Sequence, residues 1–157
     1  CTKIIKMNST DKRNKKQLRY DNAYMEMAEA FSKLSYAERH KVGCVIVSPK
    51  GQIISQGYNG TPSGRDNSCE YTNEYGELVT KPEVLHAETN AISKCAKWQA
   101  STDGATLYVT LSPCINCAKL IIQAGIKRVV YKEVYHDTEG LDLLKDVGIK
   151  VDKLDEE

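Results

Sequence analysis

Apolar side chains recur every three or four positions between residues 17 and 34. Tyr20, Tyr24, Met27, Phe31 and Leu34 carry the period, with Ala23, Ala28 and Ala30 between them. That spacing predicts one apolar face of a helix. A polar turn over 35–41 follows, and then a near-continuous apolar run from Val42 to Val47. Its length and β-branching predict a strand buried on both faces, closed by Ser48, Pro49, Lys50 and Gly51. A second strand over 52–56, one short turn later, should pair with it as an antiparallel hairpin. Residues 57–82 show no sustained period and are rich in Gly, Asn, Ser, Thr and Pro. A loop that long inside a compact domain is usually functional. The pattern then predicts a helix over 86–98 and a strand over 105–111. A further helix over 114–124 is entered through Ser112 and Pro113, with Ala118, Ile121, Ile122 and Ala124 inward and a stop at Gly125. A strand over 127–131, a short helix over 138–147 and a strand over 149–151 complete the chain.

The resulting order, α-β-β-α-β-α-β-α-β, predicts an α/β fold with a mixed five-stranded sheet covered by helices on both faces. Strands joined through helices should run parallel. Ligands in such sheets gather where carboxyl ends of strands meet helix N-termini.

Composition bounds the reading without choosing a function. The chain has 157 residues, 41% of them hydrophobic and 27% charged, as expected for one globular domain. No apolar run is long enough to span a bilayer, so no membrane partner is expected. The first residues lack the apolar stretch of a secretory signal. The expected compartment is therefore the cytoplasm (the host's, for a viral source), where thiols stay reduced. The net charge of +1 is unevenly spread: residues 1–19 carry a net +6, and the remainder a net −5. Residues 1–16 are read as a basic, disordered N-terminal arm, and residues 17–157 as the folded domain. An acidic body argues against a nucleic-acid partner and suits a small anionic ligand held by local groups.

Six cysteines remain to be placed. Cys114 and Cys117 form a Cys-x-x-Cys at the start of a predicted helix, where thiolates are favoured. His86, Ala87 and Glu88 open the preceding predicted helix. His86, Cys114 and Cys117 together make a Cys₂His donor set for one zinc ion, with the fourth tetrahedral position left open as in a catalytic site. Glu88, two residues past the histidine, lies within reach of a water in that open position without being a ligand. A single carboxylate there can serve as both acid and base, taking a proton from water and delivering one to a departing group. The backbone N–H of Ala87, at the same helix start, is a candidate donor to a substrate carbonyl. Cys44 and Cys95 are expected to pack as small hydrophobes. Cys69 has no paired ligand spacing around it. The joint pattern His-x-Glu followed by Pro-Cys-x-x-Cys is that of zinc nucleobase deaminases.

Three longer strings narrow the resemblance. They are Gly57, Tyr58, Asn59 and Gly60 leading to Gly64; residues 85–92 around His86; and residues 107–118 around Cys114. With residues 125–131 and Tyr135, His136 and Asp137, they resemble deoxycytidylate (dCMP) deaminases of the cytidine-deaminase-like superfamily. The resemblance implies that superfamily's three-layer fold, hydrolysis of dCMP to dUMP and ammonia, and supply of dUMP for thymidylate synthesis. It further implies that Asn59 contacts the substrate. The loop carrying Gly57, Tyr58, Gly60 and Gly64 would serve an effector site, with dCTP activating and dTTP inhibiting, and Mg2+ accompanying a triphosphate effector. A homo-oligomer, by resemblance a hexamer, is also implied. A monophosphate needs cationic or donor groups, and Arg65, Lys81, Tyr135 and His136 are the candidates in segments bordering the strand ends.

Overall fold

The computed structural model describes residues 9–155, with side chains described from Arg13 onward. The order is α1 (Ser9–Ser32), β1 (Gly43–Val47), β2 (Ile53–Tyr58), β3 (Glu70–Thr72), β4 (Leu78–Thr80) and α2 (Ala87–Lys97). Then follow β5 (Thr106–Leu111), α3 (Ile115–Gln123), β6 (Arg128–Glu133), α4 (Glu139–Asp146) and β7 (Lys150–Lys153). The main sheet runs β2-β1-β5-β6-β7. β1 is antiparallel to both β2 and β5, while β5-β6 and β6-β7 are parallel, their connections made by α3 and α4. The expected mixed five-stranded sheet is therefore present.

Side chains of successive strand residues point to opposite faces, and the core divides accordingly. Cys44, Ile46, Leu107, Val109 and Val129 pack with Ala87, Ala91 and Cys95 of α2, Ile121 of α3 and Leu144 of α4. Val45, Val47, Tyr108 and Val130 pack on the other face, against Met25 and Ala28 of α1. Three layers result, with α1 alone on one side. No described helix is long and apolar enough to cross a membrane.

Two expectations are corrected. First, the helix that should begin near residue 17 begins at Ser9, so the second half of the basic arm is helical; its first eight residues lie outside the described part. Lys, Arg and Gln are good helix formers, and residues 13–20 are solvent-exposed, so this stretch leaves no apolar period to read. The buried face is also displaced. Asp21, Met25 and Ala28 point inward, whereas Tyr20 and Leu34 are about half exposed. Asp21 belongs inside because it meets Arg128 and Tyr108, a polar partnership invisible to hydrophobic periodicity. Second, the long loop contains a separate hairpin, β3 with β4. Its strands are three residues each, too short to carry a legible alternation of their own.

The C-terminal ends of β2, β5 and β6 and the start of β1 share one edge of the sheet. The N-termini of α2 and α3 open at that edge.

Candidate active site

His86 and Cys114 are the N-cap residues of α2 and α3, both with extended backbone. A side chain at that position normally accepts a bond from the helix's own first amides. Neither does so here; both turn toward a common centre. His86 Nδ1 lies 3.2 Å from Cys117 Sγ and 3.5 Å from Cys114 Sγ. All three donor atoms fall within 4.8 Å of one another, and no other such group occurs among the described residues.

Hydrogen bonds from Cys117 and His86 pull the Cys114 thiol down to about 3, against the opposing effect of burial. The Cys117 thiol is pushed up in turn, by donating to Cys114 and by burial. The His86 imidazole is raised by its bond to Cys114 although burial opposes it. Two sulfurs and one imidazole converging on one point are a donor set that suits zinc.

Backbone contacts fix these ligands. Gly60 and Leu85 exchange two amide bonds, at 3.0 and 2.8 Å, immediately before His86. On the other side α4 presses on the cysteine turn: a Cβ at Gly140 would lie 2.2 Å from the Pro113 carbonyl oxygen and 2.8 Å from the Cys114 carbonyl carbon. Only a residue without a side chain permits that approach.

Glu88 sits on the first turn of α2 and is 4% exposed. Burial pushes its carboxyl up; its own backbone N–H, His86 and the Cys117 thiol pull the other way, and burial wins. A raised carboxyl beside a candidate metal centre is suited to accepting and returning a proton.

Above this group opens a cleft of about 690 Å³ including its mouth, within the range of small-molecule sites. Asn59, Ala87 and Tyr135, expected from the sequence to contact substrate, are among the residues that line it. Ala87 holds the first helical position of α2, where an amide has no intrahelical acceptor. Asn59 also clamps the loop before β1, accepting from the Val42 amide at 2.8 Å and donating to the His40 carbonyl at 2.6 Å. Tyr135 is positioned by its amide, which donates to the buried Ser112 Oγ at 2.7 Å.

Other sequence candidates fall elsewhere. Arg65 does not line the cleft; it pairs with Glu83 at 3.4 Å and borders a separate groove together with Lys81. His136 is exposed and contacts Asp137 at 3.3 Å. Gly57 is buried, and a Cβ there would lie 2.7 Å from the Ala87 carbonyl oxygen and 2.8 Å from the Ala91 amide. It serves the close packing of β2 on α2 and presents nothing to a ligand. Tyr58, Gly60 and Gly64 border a second cavity with Arg65, Asn90 and Lys94. Cys44 and Cys95 lie in the core as expected, and the buried Cys69 thiol donates to the Asn67 carbonyl. Sequence reasoning missed Arg39, Glu70, Thr80, Ser112 and Gly140. Glu70 and Thr80 belong to the hairpin that the pattern did not reveal.

A Cys₂His group beside a buried glutamate, at helix N-termini on an α/β sheet, defines a zinc deaminase site. The chain belongs to the cytidine and deoxycytidylate deaminase family: the profile of that family's zinc-binding region matches residues 18–133. The deoxycytidylate deaminase of Enterobacteria phage T4 is 37% identical over 166 residues, covering 81% of this chain and 86% of its own. The human deoxycytidylate deaminase is 41% identical over 127 residues, covering 74% of this chain and 70% of its own. The crystal structure of dCMP deaminase from cyanophage S-TIM5 in complex with dCMP and dUMP superposes with a TM-score of 0.79 at 47% identity. It covers 86% of this chain and 96% of that one.

Proposed function

We propose that the protein hydrolyses dCMP to dUMP and ammonia in the cytoplasm (the host's, for a viral source) and so supplies dUMP for thymidylate synthesis. The observation that carries this reading is the convergence of His86, Cys114 and Cys117 with buried Glu88 at the base of one cleft. The 47%-identical neighbour, solved with dCMP and dUMP, supports the choice of substrate.

His86, Cys114 and Cys117 would hold the zinc ion. When bound there, zinc supplies a Lewis acid that brings the pKa of a water near neutrality. Glu88 takes the proton of the attacking water and delivers it to the ring nitrogen next to the amine-bearing carbon. The carbon–oxygen bond forms, Glu88 then takes the second proton from the newly attached hydroxyl and passes it to the amino group, and the carbon–nitrogen bond breaks to release ammonia as the carbonyl forms. The Ala87 N–H holds the pyrimidine carbonyl. Asn59 and Tyr135 bound the nucleotide on either side, and the walls of the cleft limit bulk water.

Regulation forms part of the same proposal. The second cavity, bordered by Tyr58, Gly60, Gly64 and Arg65, would take dCTP with Mg2+ as activator and dTTP as inhibitor, with Gly57 shaping its support. A homo-oligomer, a hexamer by family resemblance, would couple the sites. The test is ammonia release from dCMP, CMP, dCTP, deoxycytidine and a single-stranded oligonucleotide, with and without dCTP and dTTP. We expect dCMP to be preferred and its sigmoidal rate curve to become hyperbolic with dCTP. Reaction of the oligonucleotide alone would overturn the substrate; a hyperbolic curve indifferent to both effectors would overturn the regulation.

A further inference from the structure

The end of the sheet opposite the cleft carries a second large depression, about 1280 Å³ including its mouth. It lies where β1 ends and β5 and β6 begin, so the length of β5 separates it from the metal donors. One wall is α1 and another is the turn between β1 and β2. Among the described residues, Arg13, Lys16, Lys50, Lys127 and Arg128 line it, and no aspartate or glutamate does. Arg128 is neutralised by Asp21 and Asp152. Lys16, Lys50 and Lys127 are exposed, with no described carboxylate within ion-pairing distance. Beyond residue 19 the chain is net acidic, so a groove lined by cations alone is a local field of one sign that draws anions in.

The groove is drawn out along α1. Arg13, Lys16, Gln17, Tyr20 and Tyr24 face it at spacings of three and four, one stripe of the helix. From 13 to 24 that stripe runs ~16 Å at 1.5 Å per residue. A single phosphate would occupy one point of it, whereas a chain of phosphates follows its length. Lys50 and Lys127 add charge from the sheet side.

Three rings lead from the core to the rim of this groove. Tyr108 is buried, Tyr24 lies 5.1 Å from it between centroids, and Tyr20 lies 6.0 Å from Tyr24. Tyr24 also donates its hydroxyl to the Gly51 carbonyl at 3.1 Å, which pins the helix to the turn. Tyr20, the outermost, is 50% exposed. A ring backed in this way offers a stacking face with little ordering left to lose. An acidic peptide would use the lysines but would leave Tyr20 idle. Alternating phosphates and bases use both.

We infer that this groove binds single-stranded nucleic acid, with phosphates on Lys16, Lys50 and Lys127 and a base stacked on Tyr20. The strand is held here as a ligand and is not the molecule deaminated, because groove and metal donors lie at opposite ends of the sheet. The inference stands apart from the dCMP reading.

The test is fluorescence anisotropy of a labelled oligothymidylate of about 20 nucleotides, whose bases have no amine to lose, with the full chain. Three neutralised phosphates give a salt slope of about −2, so affinity should fall about 20-fold between roughly 50 and 200 mM salt. Lys16→Glu combined with Lys127→Glu should weaken binding by at least about 10-fold at the lower salt. Tyr20→Ala should weaken it by about 5- to 100-fold. Lys145→Glu, exposed on α4 across the sheet from α1, should match wild type. The milder pair Lys16→Gln with Lys127→Gln should show a smaller loss in the same direction, and melting curves confirm that each variant is folded. Saturating dUMP should leave the oligonucleotide bound, and every variant should release ammonia from dCMP as wild type does. Absence of saturable wild-type binding, indifference to the lysine pair or to Tyr20→Ala, or displacement by dUMP overturns the inference. So does polyglutamate binding as tight as the oligonucleotide's, which would assign the groove to an acidic protein partner. Failure of wild type to turn over dCMP would touch the substrate reading alone.

Discussion

At Cys114, burial and hydrogen bonding act in opposite directions on one thiol, and the hydrogen bonds win. The Cys117 thiol and the His86 imidazole are shifted upward by the same contacts, so the three groups form one coupled donor set. Removing the Cys114 sulfur leaves two donors, too few for the tightly held tetrahedral ion of such sites. Cys114→Ala should therefore purify with zinc content near zero, where wild type carries it stoichiometrically. Elemental analysis beside a far-UV spectrum checks this, and a folded variant with full zinc content would contradict it. These donors were legible in the sequence, because ligand spacing and helix starts are local properties. Arg39, which lines the cleft, was not, because Thr80 and Glu70, which hold it there, are distant in the chain and placed beside it only by the fold. Arg65 misled for the converse reason: it follows the glycine-rich loop but is spent on Glu83.

Gly140 shows how an element reaches into the site. Within a helix, Ala is preferred over Gly by about 1 kcal/mol, so propensity alone would make Gly140→Ala stabilising. The overlap of its Cβ with the Pro113 and Cys114 backbone reverses the sign. Overpacking of this kind costs about 1–3 kcal/mol, and the displaced ligand should weaken zinc binding about 10- to 100-fold. Chelator competition with a melting curve measures both, and unchanged values in each would refute the contact.

Helix α1 is held to the sheet by charge as well as by apolar packing. Arg128 donates to both oxygens of Asp21 at 2.8 Å, and the buried Tyr108 hydroxyl donates to one of them at 2.6 Å. Burial would raise the Asp21 carboxyl, but hydrogen bonds from Arg128, Tyr108 and Gln17 together hold it below the usual carboxylate range. Arg128→Met leaves that carboxylate buried and unpaired, at a cost of about 3–5 kcal/mol. Because the folded carboxyl is depressed, its stabilising effect is complete above the unfolded value of about 3.9. It is lost as pH falls from there through the folded value. Urea midpoints should therefore drop on acidification below about pH 4, and less steeply in Asp21→Asn. Equal slopes in both proteins would show that the pair does not act this way. The strands and the later helices were readable because each carries its own apolar period. The first turns of α1 were not, being polar, and neither was the β3-β4 hairpin, whose three-residue strands are too short to show a period and are defined by backbone bonding.

The whole molecule places three strand ends and two helix N-termini at one edge of the sheet, so residues from 37 to 135 meet in one cleft. Order of elements was enough to expect that edge, and the metal donors to expect its chemistry. The cleft's walls needed tertiary structure. The net −5 of the chain beyond residue 19 agrees with a site that attracts its anionic substrate through particular groups, without a broad positive field. The central claim is that these groups form a zinc-supported deaminase in which Glu88 carries the proton. The most direct measurement is zinc content and dUMP formation from dCMP on the same preparations of wild type and Glu88→Gln. Wild type should hold zinc and turn over, and Glu88→Gln should hold as much zinc while losing about 10²–10⁴-fold in kcat. Full turnover by Glu88→Gln, or zinc-loaded wild type that leaves dCMP intact, would contradict the account.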